Sequence, residues 1–278
     1  MDNKQINWFP GHMAKALKDM ANEVKNVDMV IYVLDARAPK STLNPEFISI
    51  IGNKPILYIL NKADMVPDGS LNKFKSQLKK DNTEVLELNS TVSGAIKKIE
   101  PIMTNLCLSK IEKYKQKGFS TKLRAMVVGV PNSGKSTLIN NLCDKKKTLT
   151  ANRAGVTRGK QWLSLKNGFE VLDTPGTLYP KLENQMVAKK LAFIGSIRNE
   201  VLDMGTLAID FIDWCKNNDF TILTHYGIKD KLPSIEILEA IAIKKHHLIS
   251  GGEIDYDRVA LSVIDDFRKG KLGKIMLD

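Results

Sequence analysis

Hydrophobic residues in the first two thirds of the chain occur in short, nearly continuous runs separated by amphipathic stretches. Such runs are typical of parallel strands buried on both faces, and a Lys-Asn-Gly turn at 166–168 predicts a hairpin near the end of the series. Helical periodicity before and between the runs, for example at 11–27 and 135–143, completes the alternation of strands and helices. The predicted strands are 30–34, 56–60, 84–88, 124–128, 161–165 and 169–172. This pattern predicts an α/β fold with a six-stranded, mostly parallel sheet.

Beyond about residue 180 the strand signals stop and only helical patterns remain. Asp255 is the expected N-cap of the last helix, and Gly270 its expected stop. The predicted helices are 181–194, 207–216, 234–247 and 255–269. We therefore expect two domains, one carrying the sheet over residues 1–200 and a small all-helical one over residues 206–278.

The amino-acid composition indicates which class of partner the protein binds and in which cellular compartment it lies. The chain has 278 residues, and its 42 Lys and Arg against 31 Asp and Glu give a net charge of +11. Such an excess favours a polyanion, either nucleic acid or an anionic membrane surface. Three scattered cysteines without a CxxC pair argue against a disulfide framework and a zinc site. Because no apolar run resembles a secretory signal or a membrane span, we expect a cytoplasmic protein.

A phosphate-binding loop follows the fourth predicted strand and opens a helix. Its residues are Gly129-Val130-Pro131-Asn132-Ser133-Gly134-Lys135-Ser136, the pattern of a P-loop in its proper context. Lys135 is expected to neutralise β- and γ-phosphate oxygens during catalysis, and Ser136 to bind Mg²⁺. The expected nucleotide contacts of this loop are Asn132, Ser133, Gly134, Lys135, Ser136 and Thr137.

Two further segments are expected to complete the phosphate end of the site. Asp173-Thr174-Pro175-Gly176 ends the last predicted strand. Asp173 stands where an acid holds Mg²⁺ through water, and Gly176 where an amide meets the γ-phosphate. In the polar loop 151–159, Thr157 is expected to reach both Mg²⁺ and the γ-phosphate. The alternative for that loop is an incidental threonine in a mobile segment.

Asn61-Lys62-Ala63-Asp64 follows the second predicted strand and has the chemistry of a guanine reader. A carboxylate at 64 can accept from both N1–H and the 2-amino group of guanine, and the Lys62 stem can cover the purine. Asn61 is expected to tie this loop to the P-loop. Asn89 and Ser90, at the next strand end, are expected to support the base. Taken alone, the tetrapeptide has an ordinary turn as its alternative.

The base reader precedes the P-loop, whereas ordinary GTPases have the opposite order. This order indicates a circularly permuted core, which close surface termini tolerate. Ras-type GTPases orient water with a glutamine directly after the DxxG glycine, but Thr177 occupies that position. His12 is the candidate replacement. Its alternative is a structural or solvated histidine.

Together these motifs resemble the ribosome biogenesis GTPase A family, the YlqF type of circularly permuted GTPases. Trp8-Phe9-Pro10-Gly11-His12-Met13 and Asp35-Ala36-Arg37-Ala38-Pro39 also match. The resemblance implies a GTPase that acts late in assembly of the large ribosomal subunit, binds its rRNA and is stimulated by the particle. It maps a catalytic histidine onto His12 and links Asn132 to potassium-assisted hydrolysis. Partners would be GTP and GDP, with no membrane or DNA expected.

Two alternatives remain open at this level: a nucleotide-gated RNA-binding module with negligible turnover, and a GTPase acting on tRNA. Two basic stretches are candidate phosphate contacts. They are Lys244-Lys245-His246-His247 and Arg268-Lys269-Gly270-Lys271. A solvated basic face is the alternative for both.

Overall fold

The computed structural model describes residues 11–92, 94, 96–118, 122–143, 161–165, 168–178, 184–218, 222–228 and 232–278. The strands are β1 (Met29–Asp35), β2 (Ile56–Asn61), β3 (Thr83–Leu88), β4 (Leu123–Val128), β5 (Gln161–Ser164) and β6 (Phe169–Asp173). The helices are α1 (Gly11–Glu23), α2 (Pro39–Thr42), α3 (Pro45–Ile51), α4 (Asn72–Leu78), α5 (Ile96–Leu106), α6 (Leu108–Gln116), α7 (Lys135–Leu142), α8 (Gln185–Phe193), α9 (Met204–Asn217), α10 (Ile222–Tyr226), α11 (Ser234–Lys244) and α12 (Tyr256–Arg268).

The sheet has six strands in the order β3-β2-β1-β4-β6-β5. Its strands run parallel except for β5, which pairs antiparallel with β6. The predicted α/β architecture is therefore confirmed. Asp35, Asn61 and Leu88 are register partners at the carboxyl ends of adjacent strands. This alignment brings the loops after β1, β2, β3, β4 and β6 to one edge of the sheet, where open α/β sheets bind ligands.

Helices cover both faces of the sheet. Tyr32 and Leu34 of β1 share a buried cluster with side chains of α1, α3 and α4. Ile31 and Val33 share another with side chains of α5 and α7. Because successive strand residues point to opposite faces, covering both faces buries all seven residues of β1. That burial explains the continuous apolar run in the sequence.

Several helical segments were not predicted or differ from the prediction. The stretch between β3 and β4 contains two helices, α5 and α6, interrupted at Cys107. The helix predicted over 234–247 ends at Lys244 because His246 adopts φ +55° and the His247 amide bonds the Ala242 carbonyl. The short helix α10 was not predicted, since five residues carry too little periodicity.

Helices α8 to α12 enclose a core that contains Phe193, Phe211 and Phe267. Both predicted ends of α12 are confirmed. The Asp255 side chain accepts from the Arg258 amide, and Gly270 stops the helix with φ +73°, the conformation favoured after a helix C-terminus.

The hydrophobic core of the helical region continues into the loops of the sheet. Met13, Val130 and Leu178 belong to the same buried cluster as the side chains of α8 to α12. The division of the chain at about residue 200 stays a prediction. None of the helices in the described ranges combines the length and hydrophobicity needed to cross a bilayer.

Candidate nucleotide site

The P-loop lies between β4 and α7 and depends on two glycines. Gly129 has φ +151° and Gly134 has φ +97°. A Cβ at residue 129 would lie 2.3 Å from the Val33 carbonyl oxygen, and one at residue 134 would lie 2.1 Å from Asn61 Nδ2. Glycine therefore permits both the backbone conformation and the close approach of this loop to its neighbours.

Lys135 is buried at the first position of α7. Its Nζ donates to the carbonyl oxygens of Gly129, at 3.1 Å, and Val130, at 2.9 Å. Burial lowers the pKa of Lys135 to about 8, although the Asp173 carboxylate acts in the opposite direction. Ser136 and Thr137 follow in the first turn, where helix amides favour phosphate. The geometry matches the predicted phosphate cradle.

Asp173, at the end of β6, supplies a buried carboxylate. The residue is 1% exposed, and neither carboxylate oxygen has a hydrogen-bond partner within the described residues. Burial raises the pKa of Asp173, and the nearby Lys135 ammonium opposes that rise. Hard cations such as Mg²⁺ prefer oxygen ligands. Asp173 and Ser136 thus fit the predicted magnesium site; Thr157, its third predicted member, lies outside the described residues.

Gly176 brings the segment after β6 against the P-loop. A Cβ at this position would lie 2.8 Å from both Lys135 Nζ and Pro131 Cα. A larger residue would therefore displace the lysine or the loop. The close approach is consistent with the predicted role of the Gly176 amide at the γ-phosphate.

Asn61 joins three loops at the base end of the site. Its Nδ2 donates to the Ser133 carbonyl at 2.8 Å, and its Oδ1 accepts from the Ser90 amide at 2.9 Å. The sequence predicted the tie to the P-loop, and the structure adds the tie to the loop after β3. Asn89 turns that loop by accepting from the Thr91 amide at 2.9 Å.

Lys62 has a left-handed backbone, with φ +61°, and its side chain reaches back towards the P-loop. Its Nζ donates to the Asn132 carbonyl at 2.9 Å and to Asp35 Oδ2 at 2.7 Å. Asp64 is exposed in the 3₁₀ turn Ala63–Met65. Sequence reasoning missed Asp35 as a member of this site. The signal available in the sequence was a carboxylate at the end of an apolar run, within the motif Asp35-Ala36-Arg37-Ala38-Pro39.

The predicted potassium ligand Asn132 lies at the outer edge of the P-loop. It adopts φ +58°, and its Nδ2 donates to the Gly195 carbonyl at 2.6 Å. Ser133, the next residue, is fully buried, and its hydroxyl donates to the Val130 carbonyl at 3.0 Å. The P-loop is therefore held by one bond to the segment after α8 and by one bond within the loop itself.

The candidate catalytic histidine begins the N-terminal helix. The backbone of His12 belongs to α1, while its side chain lies outside the described part of the chain. Met13, the next residue, is buried, and its Sδ accepts from the Leu178 amide at 3.4 Å. The first turn of α1 is therefore close to the segment that follows Gly176. Thr177 in this segment is buried.

The second basic stretch contributes to the fold through Arg268. Its guanidinium donates to the carbonyls of Ala192 and Phe193 and to the side chain of Asn199. Arg268 thus closes the C-terminal end of α8, and the prediction that it contacts RNA phosphate is wrong. Lys271 is 3.2 Å from Asp266 Oδ1 but keeps an exposed side chain.

A P-loop, a magnesium-compatible aspartate and a preceding guanine reader define a permuted GTPase. Residues 124–240 match the model of the 50S ribosome-binding GTPase family. The chain is 37% identical to ribosome biogenesis GTPase A of Bacillus cereus, covering 98% of this chain and 93% of that relative. It is 34% identical to mitochondrial ribosome-associated GTPase 1 of Mus musculus, covering 98% and 89%. The chain belongs to the ribosome biogenesis GTPase A family and is a GTP hydrolase.

Solved structures agree with this assignment. GNP-bound YlqF from T. maritima matches with a TM-score of 0.66 and 27% identity, over 95% of this chain and 97% of that one. The GDP-bound structure of TM YlqF matches with a TM-score of 0.64 and 26% identity, over 94% and 98%. The predicted family and permuted fold are therefore confirmed.

Proposed function

We propose that this GTPase acts as a switch in late assembly of the large ribosomal subunit and binds rRNA there. One structural observation carries the proposal: Leu178, two residues after Gly176, lies in the same buried core as α8 to α12. A rearrangement of the Gly176 segment around the γ-phosphate would therefore act directly on the helical region. The named relatives and the net charge of +11 support a ribosomal, polyanionic partner.

The residues at the phosphate end of the nucleotide site account for hydrolysis of GTP. Water attacks the γ-phosphorus, the bond to the β–γ bridging oxygen breaks, and GDP leaves. Lys135 stabilises the charge on the β- and γ-oxygens. Ser136, Thr157 and Asp173 would hold Mg²⁺, which would supply further neutralisation of that charge. His12 accepts the proton of the attacking water; the contact between Met13 and Leu178 supports its proximity.

The helical region 206–278 is the proposed rRNA-binding domain. Arg268 is committed to α8, and Lys245 pairs with Asp266. Among the lysines of the two basic stretches, the exposed candidates for phosphate contacts are therefore Lys244, Lys269 and Lys271. Their triple change to glutamate is expected to lower affinity for the large subunit about tenfold or more, since each phosphate contact adds to binding. Unchanged subunit binding would exclude this face.

The first test is steady-state GTP hydrolysis with Mg²⁺ and K⁺, with and without purified large subunits. We expect strong stimulation by the large subunit, and loss of about a hundredfold or more in His12→Ala while GDP affinity is kept. Small subunits and tRNA are the controls. Stimulation by tRNA alone would favour the tRNA alternative, and no stimulation by any RNA would favour a nucleotide-gated binding module.

Two further arms test the site residues and the compartment. Replacing K⁺ by Na⁺ is expected to lower turnover, and Asn132→Ala is expected to remove that difference if Asn132 holds the ion. Asp64→Asn is expected to weaken GTP binding and favour xanthosine triphosphate, because the amide replaces one of the two acceptor oxygens that face guanine by an N–H donor. Cofractionation with cytoplasmic large-subunit precursors would support action in the cytoplasm.

A further inference from the structure

The loop after β1 contains a buried charge cluster that the GTPase mechanism above does not use. Asp35 and Arg37 are both almost fully buried at the carboxyl edge of the sheet. The Arg37 guanidinium binds the carboxylate through two bonds, Nε to Oδ1 at 2.9 Å and Nη2 to Oδ2 at 2.7 Å. Such a paired arrangement fixes both groups in one geometry.

The same carboxylate also holds the lysine of the base reader. Asp35 Oδ2 accepts from Lys62 Nζ at 2.7 Å as well as from Arg37. With its other bond, to the Asn132 carbonyl, the Lys62 ammonium is fixed between β1 and the P-loop. The two bonds of the ammonium thereby restrict the aliphatic stem, whereas a free lysine populates many rotamers.

Arg37 connects this cluster to the C-terminal helices. Its Nη1 donates to the Arg268 carbonyl at 3.2 Å and its Nη2 to the Ile194 carbonyl at 3.4 Å. The guanidinium carbon lies 5.2 Å from the centre of the Phe267 ring, within range of a cation–π interaction. Arg37 is thus packed on the last turn of α12 while it binds Asp35.

A second connection joins the same parts of the molecule. The Leu277 amide donates to the Arg37 carbonyl at 2.7 Å, and the Ile275 amide donates to the Met65 carbonyl at 3.0 Å. Met65 ends the 3₁₀ turn that contains Asp64. The segment after α12 therefore lies against both the Asp35–Arg37 loop and the base-reading loop.

We propose that Asp35 is a positioning residue for Lys62 and that Arg37 makes this position depend on α12. The inference rests on the base-reading role of Lys62 in the proposed function. Guanine nucleotide and α12 then stabilise each other through the shared carboxylate. Coupling between two binding sites is reciprocal. A partner that displaces α12 therefore lowers the affinity for guanine nucleotide, and bound nucleotide lowers the affinity for that partner by the same factor.

The first experiment is a double-mutant cycle on GDP affinity, measured with a fluorescent GDP analogue and Mg²⁺. Asp35→Asn and Lys62→Met are each expected to weaken binding about tenfold, and the double variant no more than either alone, because coupled residues are not additive. Tripolyphosphate, which lacks a base, is expected to bind all variants within about twofold of wild type, since the P-loop is intact.

Asp68→Asn is the matched control. Asp68 is an exposed carboxylate after the base-reading loop that pairs with Lys274 at 2.6 Å, so its change removes an Asp–Lys pair without touching Asp35. GDP affinity is expected to stay unchanged. Additive losses in the cycle, or equal losses for GDP and tripolyphosphate, would overturn the positioning role. If Asp35→Asn fails to fold, Asp35→Glu replaces it in the cycle. Glutamate keeps the charge but displaces it by one methylene, and it is expected to give a loss of GDP affinity between those of wild type and Asp35→Asn.

The second experiment measures amide hydrogen exchange in α12, with and without saturating GDP. Slowed exchange over Tyr256–Arg268 is expected in wild type and absent in Arg37→Lys, which retains a charge but loses the bonds to two carbonyls. No slowing in wild type, or equal slowing in the variant, would overturn the link to α12. Asp64→Asn distinguishes a failure of this inference from a failure of the proposed function. If this variant leaves GDP affinity unchanged, the base-reading assignment itself fails.

Discussion

The amide of Leu178 donates a hydrogen bond to Sδ of Met13 at 3.4 Å, joining α1 to the segment after Gly176. Both residues are buried. The N-terminal helix that carries the candidate catalytic histidine is therefore attached to the segment proposed to meet the γ-phosphate.

Met13→Ala is expected to lower kcat for GTP hydrolysis about tenfold, because small displacements of catalytic groups are costly. GDP affinity is expected to remain, since the base and P-loop contacts are intact. The matched control is Met20→Ala on the same helix: Met20 is equally buried but packs in the cluster beneath the sheet. Each change is expected to cost about 2–5 kcal/mol of stability. Equal kcat values for the two variants would contradict the prediction.

Asp173→Asn is expected to separate stability from activity. The wild-type carboxylate is buried without a side-chain hydrogen-bond partner in the described residues, and burial raises its pKa despite the nearby Lys135 ammonium, so the burial of this charge is unfavourable. The nucleotide-free variant is therefore expected to be no less stable than wild type in urea unfolding. Mg²⁺-dependent hydrolysis is expected to fall about a hundredfold, since the acid predicted to hold the metal through water is lost. A large loss of stability would instead give Asp173 a structural role.

Nucleotide affinity is expected to decrease as pH rises above about 8. Lys135 has its pKa lowered to about 8 by burial, so the free protein loses this positive charge above that pH. Bound phosphate favours the protonated lysine and raises its pKa, and binding between the two values takes up a proton. Calorimetry of GDP binding in buffers of different ionisation enthalpy measures this uptake. Lys135→Arg, which stays charged, is the control for titration of the nucleotide, and an equal pH dependence would contradict the assignment.

Arg268→Ala is expected to destabilise the protein by about 2–4 kcal/mol, because it leaves buried carbonyls without donors. The carbonyls concerned belong to Ala192 and Phe193 at the end of α8. Lys269→Ala is the matched control: this neighbouring side chain is 62% exposed and pairs with Asp265 on its own helix, a contact worth about 0.5 kcal/mol or less. Urea unfolding measures both. Equal destabilisation would contradict the structural role of Arg268.

Local sequence was sufficient to predict the strands of the sheet and the residues at the phosphate end of the site. The fully buried strands β1 and β2 gave continuous apolar runs, and the glycines at 129 and 134 are required by backbone conformation within the loop itself. The motif order also predicted the permutation, since order along the chain is a property of sequence alone. The positions of Thr157 and of the His12 side chain lie outside the described residues and stay predictions.

The partners of charged side chains were decided by the tertiary structure. Sequence placed Arg268 in a basic stretch suited to RNA, yet the fold brings it to the carbonyls of α8, 75 and 76 positions away. Asp35 likewise meets Lys62 only because β1 and β2 are adjacent and in register. A strand or a P-loop is specified by interactions over a few residues, whereas an ion pair depends on which surfaces the packed elements bury together. The sequence by itself therefore determined the chemistry of phosphate and guanine binding, and the tertiary structure decided which charges remain available to a partner and which hold the helices to the nucleotide site.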